Sequence, residues 1–164
     1  MTVTINGNGT ITPKSAVQPA GSVLQVVTAS YTTQVSSSGS SYTNTGIDVA
    51  ITPTSSSSKV LVIATVPWSL YRDATEVGAA LKIIRETTDV SVHEYGIHIE
   101  AGLTSQNRIM AKGDYTMQVL DTPNTTSEIH YQAQIKDHYN ANGSYVRSNA
   151  DSRPGYITAM EIAA

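Results

Sequence analysis

The chain has 164 residues, a formal net charge of −3 and no cysteine. That length fits one domain with a sizeable core, and the missing cysteines exclude disulfides, a thiol nucleophile and Cys-ligated zinc. Only 14% of the residues are charged and no Lys/Arg cluster breaks the acidic balance, which argues against a nucleic-acid partner.

Ser, Thr, Asn and Gly fill the place of the missing charges. Such neutral polar surfaces suit strands and turns. The aromatics are nine Tyr and one Trp with no Phe, a bias toward half-exposed rings with one wet end. No apolar core follows Met1, so no secretory signal is expected, and no apolar run approaches the ~20 residues of a membrane span. The expectation is a soluble protein made in the cytoplasm, with no membrane partner.

In chain order, Thr2-Val-Thr-Ile5 alternates, Asn6-Gly-Asn-Gly9 turns, and Thr10-Ile-Thr12 can pair back as a small hairpin. Pro13, Pro19 and Gly21 interrupt the next stretch. Residues 1–20 read as an arm, with Thr2, Val3, Ile5 and Ile11 as its contact residues. Such an arm lies on its own domain, on a neighbouring subunit or on a larger assembly. Residues 21–164 read as the folded domain.

Ser22 to Ala29 is the first full strand, with Val23, Gln25 and Val27 on one face and Leu24 and Val26 on the other. Ser36 to Ser41 reads as a surface loop. Ile47, Val49 and Ile51 alternate on one strand face. Lys59 to Trp68 holds the densest apolar run, Val60 to Val66. Its β-branched residues and its stop at Pro67 mark a strand covered on both faces, around which the others assemble. Ser69 to Thr75 reads as a loop. Glu76 to Glu86 is ambiguous, since Ala79, Ala80, Leu81, Ile83 and Ile84 also fit a helix. Period two puts Val77, Ala79, Leu81 and Ile83 on one face, and the β surroundings favour a strand. Val90 to Glu100 is extended, in two pieces broken at Gly96. Tyr115, Met117 and Val119 share a face. Glu128 to Lys136 alternates cleanly, with Ile129, Tyr131, Ala133 and Ile135 inward. Tyr156 to Ala164 closes the chain as a strand. Eight or nine strands with short turns imply an all-β fold: an antiparallel, jelly-roll-like β-sandwich with an N-terminal extended arm or hairpin.

Candidate sites are few. His93 and His98 flank a stretch that looks like a zinc-protease motif, but that motif needs histidines four apart on a helix. Five apart on a strand, they point to opposite faces. His98 and Glu100 share a face, and a neighbouring His130 would complete a metal or pH-sensing group. Ordinary surface polarity explains them as well. Asp137-His138-Tyr139 sets a carboxylate beside an imidazole with no partnered serine, so no Ser-His-Asp triad can be argued. Asn124-Thr-Thr and Asn142-Gly-Ser fit the glycosylation pattern, and both read better as turns. Glu161, in an apolar strand, must face outward or pair with a cation such as Lys82 or Arg147. Trp68 with Tyr42, Tyr71, Tyr139 and Tyr145 offers rings for stacking on a glycan, or for packing at an interface, the commoner use. No catalytic residue, cofactor site or metal site stands out.

Several stretches together carry a resemblance: Thr2-Val-Thr-Ile-Asn-Gly-Asn-Gly-Thr-Ile-Thr12, Pro19-Ala-Gly-Ser-Val-Leu-Gln-Val-Val27, Tyr42-Thr-Asn-Thr-Gly-Ile47, Ile51-Thr-Pro-Thr-Ser-Ser-Ser-Ser-Lys-Val-Leu-Val62 and Tyr156-Ile-Thr-Ala-Met-Glu-Ile162. This order resembles small virion-surface modules of tailed bacteriophages, notably marine phages and cyanophages, often labelled tail-fibre proteins. The resemblance implies a trimerising β-sandwich with a structural role in the particle, and it transfers no catalytic residue. It leaves two roles. One is a head-decoration (cement) protein on the major capsid protein, with residues 1–20 as the attachment arm. The other is a tail-fibre tip recognising a host surface glycan. No long shaft precedes residue 20, and this tilts the reading toward decoration.

Overall fold

The computed structural model describes residues 18–100, 108–141 and 143–164. The expected contacts of the arm, Thr2, Val3, Ile5 and Ile11, lie outside the described residues, as does Asn142. Among the described residues there are ten strands: β1 (Val23–Tyr31), β2 (Val35–Ser37), β3 (Thr43–Ile51), β4 (Lys59–Arg72), β5 (Glu76–Arg85), β6 (Thr88–Glu100), β7 (Ile109–Asp121), β8 (Ile129–Asp137), β9 (Tyr145–Ser148) and β10 (Gly155–Ile162). No helix there is long and apolar enough to cross a membrane.

The strands form two antiparallel sheets. In sheet one β4 is central. β7 runs along one side of it for its whole length, while β10 and then β9 share the other side. β1 pairs with β10, and β2 with β9. Sheet two has the order β3-β8-β5-β6. The neighbours β1-β10-β4-β7 facing β3-β8-β5-β6 are those of a jelly roll, with β2 and β9 added beside the far half of β4.

The alternating patterns place the core. Ile47, Val49 and Ile51 from β3 and Ile129, Tyr131, Ala133 and Ile135 from β8 are buried between the sheets, as are Val77, Ala79, Leu81 and Ile83 from β5. The ambiguous segment is therefore a strand. Opposite them stand Val60, Val62, Ala64 and Val66 of β4, each fully buried, with Met117 of β7 and Ile157 and Ala159 of β10. Each such large side chain contributes about 1.5–3 kcal/mol by leaving water.

Four expectations are corrected. β4 is covered on one face only: Leu61, Ile63 and Thr65 on its outer side are half-buried. β4 also runs through Pro67 to Arg72, where a loop was expected. The Pro67 carbonyl accepts from Asn149 N at 2.8 Å, so its nitrogen faces the same gap between β10 and β9, where no ladder bond is lost. The serine run begins inside β2, and β6 is one strand across Gly96, with a register shift nearby.

The outer face of sheet one has three registered rows across β1, β10, β4 and β7. The first is Val26, Met160, Leu61, Leu120; the second is Thr28, Thr158, Ile63, Gln118; the third is Ser30, Tyr156, Thr65, Thr116. None of these side chains is charged.

Candidate functional site

The β4–β5 turn, the β8–β9 connection and the first residues of β3 and β7 meet at one end of the sandwich. Four of the five ring residues singled out from sequence lie at this end, but in separate groups. Tyr71 and Tyr145 are register partners on β4 and β9, and their rings stack at 5.2 Å and 14°. The guanidiniums of Arg108 and Arg147 cover them, 5.0 Å from Tyr71 and 4.2 Å from Tyr145. The Tyr71 hydroxyl donates to Asp73 at 2.8 Å, which raises its pKa above the ordinary tyrosine value.

Tyr139 belongs to a second group, on the outer face of sheet two. Its hydroxyl donates to Glu76 Oε2 at 2.7 Å and stands 2.7 Å from His98 Nε2, while Arg72 lies 4.2 Å over the ring. Burial first, then the bond to Glu76, pushes the phenol up to about 12. Gly78 makes room here, because an added Cβ would stand 2.9 Å from the Ile97 carbonyl and 3.3 Å from the Tyr139 ring. Beside it, exposed Tyr95 packs on His138 with centroids 4.2 Å apart. Tyr95, Arg72 and Arg108 were not singled out from sequence, and His138 and Arg147 were weighed there for other roles. They come from segments far apart in the chain: the β5–β6 and β5–β8 registers bring Tyr95 and His138 together, and the pairing of β4 with β7 and β9 brings Arg108 and Arg147 to the stacked tyrosines.

Tyr42 forms a third group. Its hydroxyl donates to Glu94 at 3.0 Å, and the ammoniums of Lys82 and Lys136 sit 4.4 and 4.6 Å from its ring. Lys136 bonds Glu94 at 2.8 Å, and this bond, with the one from Tyr42, holds the Glu94 carboxyl below its usual pKa. Burial and Glu94 raise the Tyr42 phenol. Trp68 stands apart from all of these. Its partly buried ring packs against the core and over Gly113, where an added Cβ would lie 2.7 Å away.

The histidines separate. His93 turns toward the sandwich edge, 3.0 Å from both Ser91 Oγ and the Tyr115 hydroxyl, while His98 faces Glu76 and Tyr139. His130 lies at the other end of β8, 3.1 Å from Asp48 Oδ1, and not beside His98 as the metal or pH-sensing group would require. Among the described residues no three His, Cys, Asp or Glu side chains converge on a point that would hold a metal ion.

Two carboxylates turn out to be internal. Asp137 is buried and accepts from the amides of Tyr139 and Asn140 and from the Ser144 hydroxyl, which folds the β8–β9 connection. Glu161 neither faces outward nor meets a cation. It is fully buried and accepts from Gln25 Nε2 at 2.7 Å, from Thr54 N and Oγ1 at 2.8 Å each, and from Ser55 N at 3.3 Å. Lys82 pairs instead with Asp89, and Arg147 with the Tyr145 ring.

No protein-family model matches the chain. No characterised protein matches it by sequence. Among solved structures it is similar to the VP2 subviral particle of infectious bursal disease virus, at 15% identity and a TM-score of 0.32 over 93% of this chain. T=1 particles derived from the same virus give 17% and 0.30, and its T13 viral particle gives 16% and 0.30. The chain spans 42%, 41% and 40% of those proteins' lengths.

Proposed function

We propose that this chain is a structural protein of a bacteriophage particle, a trimeric decoration (cement) protein on the head, with itself and the major capsid protein as partners. The observation that carries this reading is the state of the loop end, where the acidic groups are already engaged. Glu76 is taken by Tyr139, Glu94 by Lys136 and Tyr42, and Asp137 by the backbone of its own loop. Arg153 holds Asp114 at 2.6 Å. Glu100 stands opposite Glu76 in the β5–β6 register, and Glu76 is committed elsewhere. A glycan-cleaving site wants two carboxylates across a cleft, one of them ready to give a proton. These groups instead knit strands together, as suits a load-bearing module, and the resemblance to virion-surface modules supplies the particle. Cement proteins act through many modest contacts at once.

A second reading rests on the same end. The Arg108–Tyr71–Tyr145–Arg147 stack and exposed Tyr95 favour a tail-fibre tip that recognises a host surface glycan, with Tyr42 and Tyr139 at its margin. Immunogold labelling of intact particles separates the two. Gold over the head is the expected result, and gold only at the tail or fibre ends would establish the tip. Gold on neither sinks the virion assignment. A glycan array probed with the purified protein tests the recognition surface directly.

A further inference from the structure

We infer that the uncharged part of the outer face of sheet one is the surface on which a second copy of this chain docks. The inference goes beyond the trimer of the reading above: it is a face-to-face contact between two copies, and it does not depend on a position in the particle. It begins from the mismatch at β4. Val60 to Val66 is apolar on both sides, the pattern of a strand covered twice, yet this strand is covered once. The surplus apolar groups are not confined to β4. Leu61 sits in register with Met160, Val26 and Leu120, so one apolar row crosses the whole sheet, with Val26 57% and Leu120 53% exposed.

The rest of the face is prepared for drying. Thr65 and Thr116 bond each other at 2.9 Å, and Thr158 donates to Thr28 at 3.3 Å, so these hydroxyls already have partners and cost less to bury. Charges rim the face without entering it. Lys59 lies at one end, and the Arg153–Asp114 and Lys112–Asp151 pairs lie at the other. An apolar centre inside a polar rim is the anatomy of a protein interface. The outer face of sheet two is the opposite case, carrying Asp48, Lys82, Glu94, His130 and Lys136, bonded among themselves and to neighbours.

Charge selects the occupant. A face with no charge meets its own copy without repulsion, whereas a charged partner would leave its charges unpaired against it. Size agrees. Four strands at about 4.8 Å spacing over the length from Val23 to Ser30, the three uncharged rows together with the rim row of Lys59, give a footprint of roughly 500 Å² per protomer. Two such faces remove about 1,000 Å², the threshold of a specific interface.

The test is sedimentation velocity on the full chain over a range of micromolar concentrations. Leu120→Glu and Val26→Glu each place a charge in the apolar row, at positions exposed enough to leave the fold intact by thermal unfolding. Val92→Glu, on the outer face of sheet two, is the control. The expected result is a dimer, or an even-numbered oligomer built on this twofold contact, for wild type and Val92→Glu. For the other two the dissociation constant should rise by about a hundredfold or more. A monomeric wild type overturns the proposal. So does association of both row variants at wild-type strength. If only Val92→Glu dissociates, self-association stands and this face is wrong. A monomer that associates only after residues 2–17 are removed assigns the face to that segment, and overturns the proposal as well. Gold labelling decides the particle assignment whatever the centrifuge shows.

Discussion

A buried carboxylate needs donors, and Glu161 draws them from neutral groups on two separate segments, Gln25 on β1 and Thr54 with Ser55 in the β3–β4 connection. Burial raises its pKa, the donors from Gln25 and Thr54 lower it by more, and the net value falls below the ordinary glutamate one. A carboxyl with a depressed folded pKa adds stability above its unfolded pKa, and that stability is lost as pH falls through the folded value. Glu161→Gln should therefore be less stable than wild type at neutral pH, by about 2 kcal/mol for the mismatched donors. The gap should narrow as pH drops below the carboxylate range, and urea unfolding at neutral and acidic pH reads both. His130 has the opposite sign. The bond to Asp48 raises its pKa against a smaller effect of burial, so its contribution is full below the unfolded pKa and fades as pH rises through the folded one. In an NMR titration Asp48→Asn should bring the His130 midpoint down toward the ordinary histidine value. An unmoved midpoint would remove Asp48 as the cause.

At the scale of elements, β4 is the strand through which the others are tied, since β7, β10 and β9 all bond to it. Val62 is fully buried on its inner face. Val62→Asp should abolish folding, because an unpaired charge there costs more than the stability of a domain of this size. A soluble protein with wild-type circular dichroism would contradict that. Strands with one wet face could be read from the sequence, as in β3 and β8, because period two shows when the outer residues are polar. The end of β4 could not. Proline reads as a stop unless one knows that β10 leaves and β9 arrives beside it, and that exchange is set by residues far downstream in the chain. The same limit hid the loop-end site. Its tyrosines were visible singly, but the arginines that cap them and the register that pairs Tyr71 with Tyr145 are tertiary facts. Glu161 was misread for a related reason: its neighbours in sequence are apolar, and its donors arrive from β1 and the β3–β4 connection.

Over the whole molecule the two ends of the sandwich sequence are fastened together. β1 pairs with β10 from Val23–Ile162 to Tyr31–Gly155, and Gly21 N to Ala163 O at 2.8 Å and Ala163 N to Ser22 O at 2.9 Å extend the clasp. A jelly roll closed by its first and last strands has few local contacts to fold from, so refolding in the millisecond-to-second range typical of such topologies is expected by stopped flow. The clasp also makes the two termini unequal. Removing residues 155–164 takes away β10, which stands between β1 and β4, leaves the facing edges of both unpaired and removes buried Ile157, Ala159 and Glu161. That truncation should not fold. Trimming the other end before residue 18 stops short of the clasp at Gly21, so it should leave the circular dichroism and the thermal midpoint close to wild type. If residues 1–20 are the attachment arm, removing only 1–9 should lower occupancy on particles while the sandwich stays folded. Unchanged occupancy would reject the arm, and a loss of folding would mean that the segment belongs to the domain and not to its attachment.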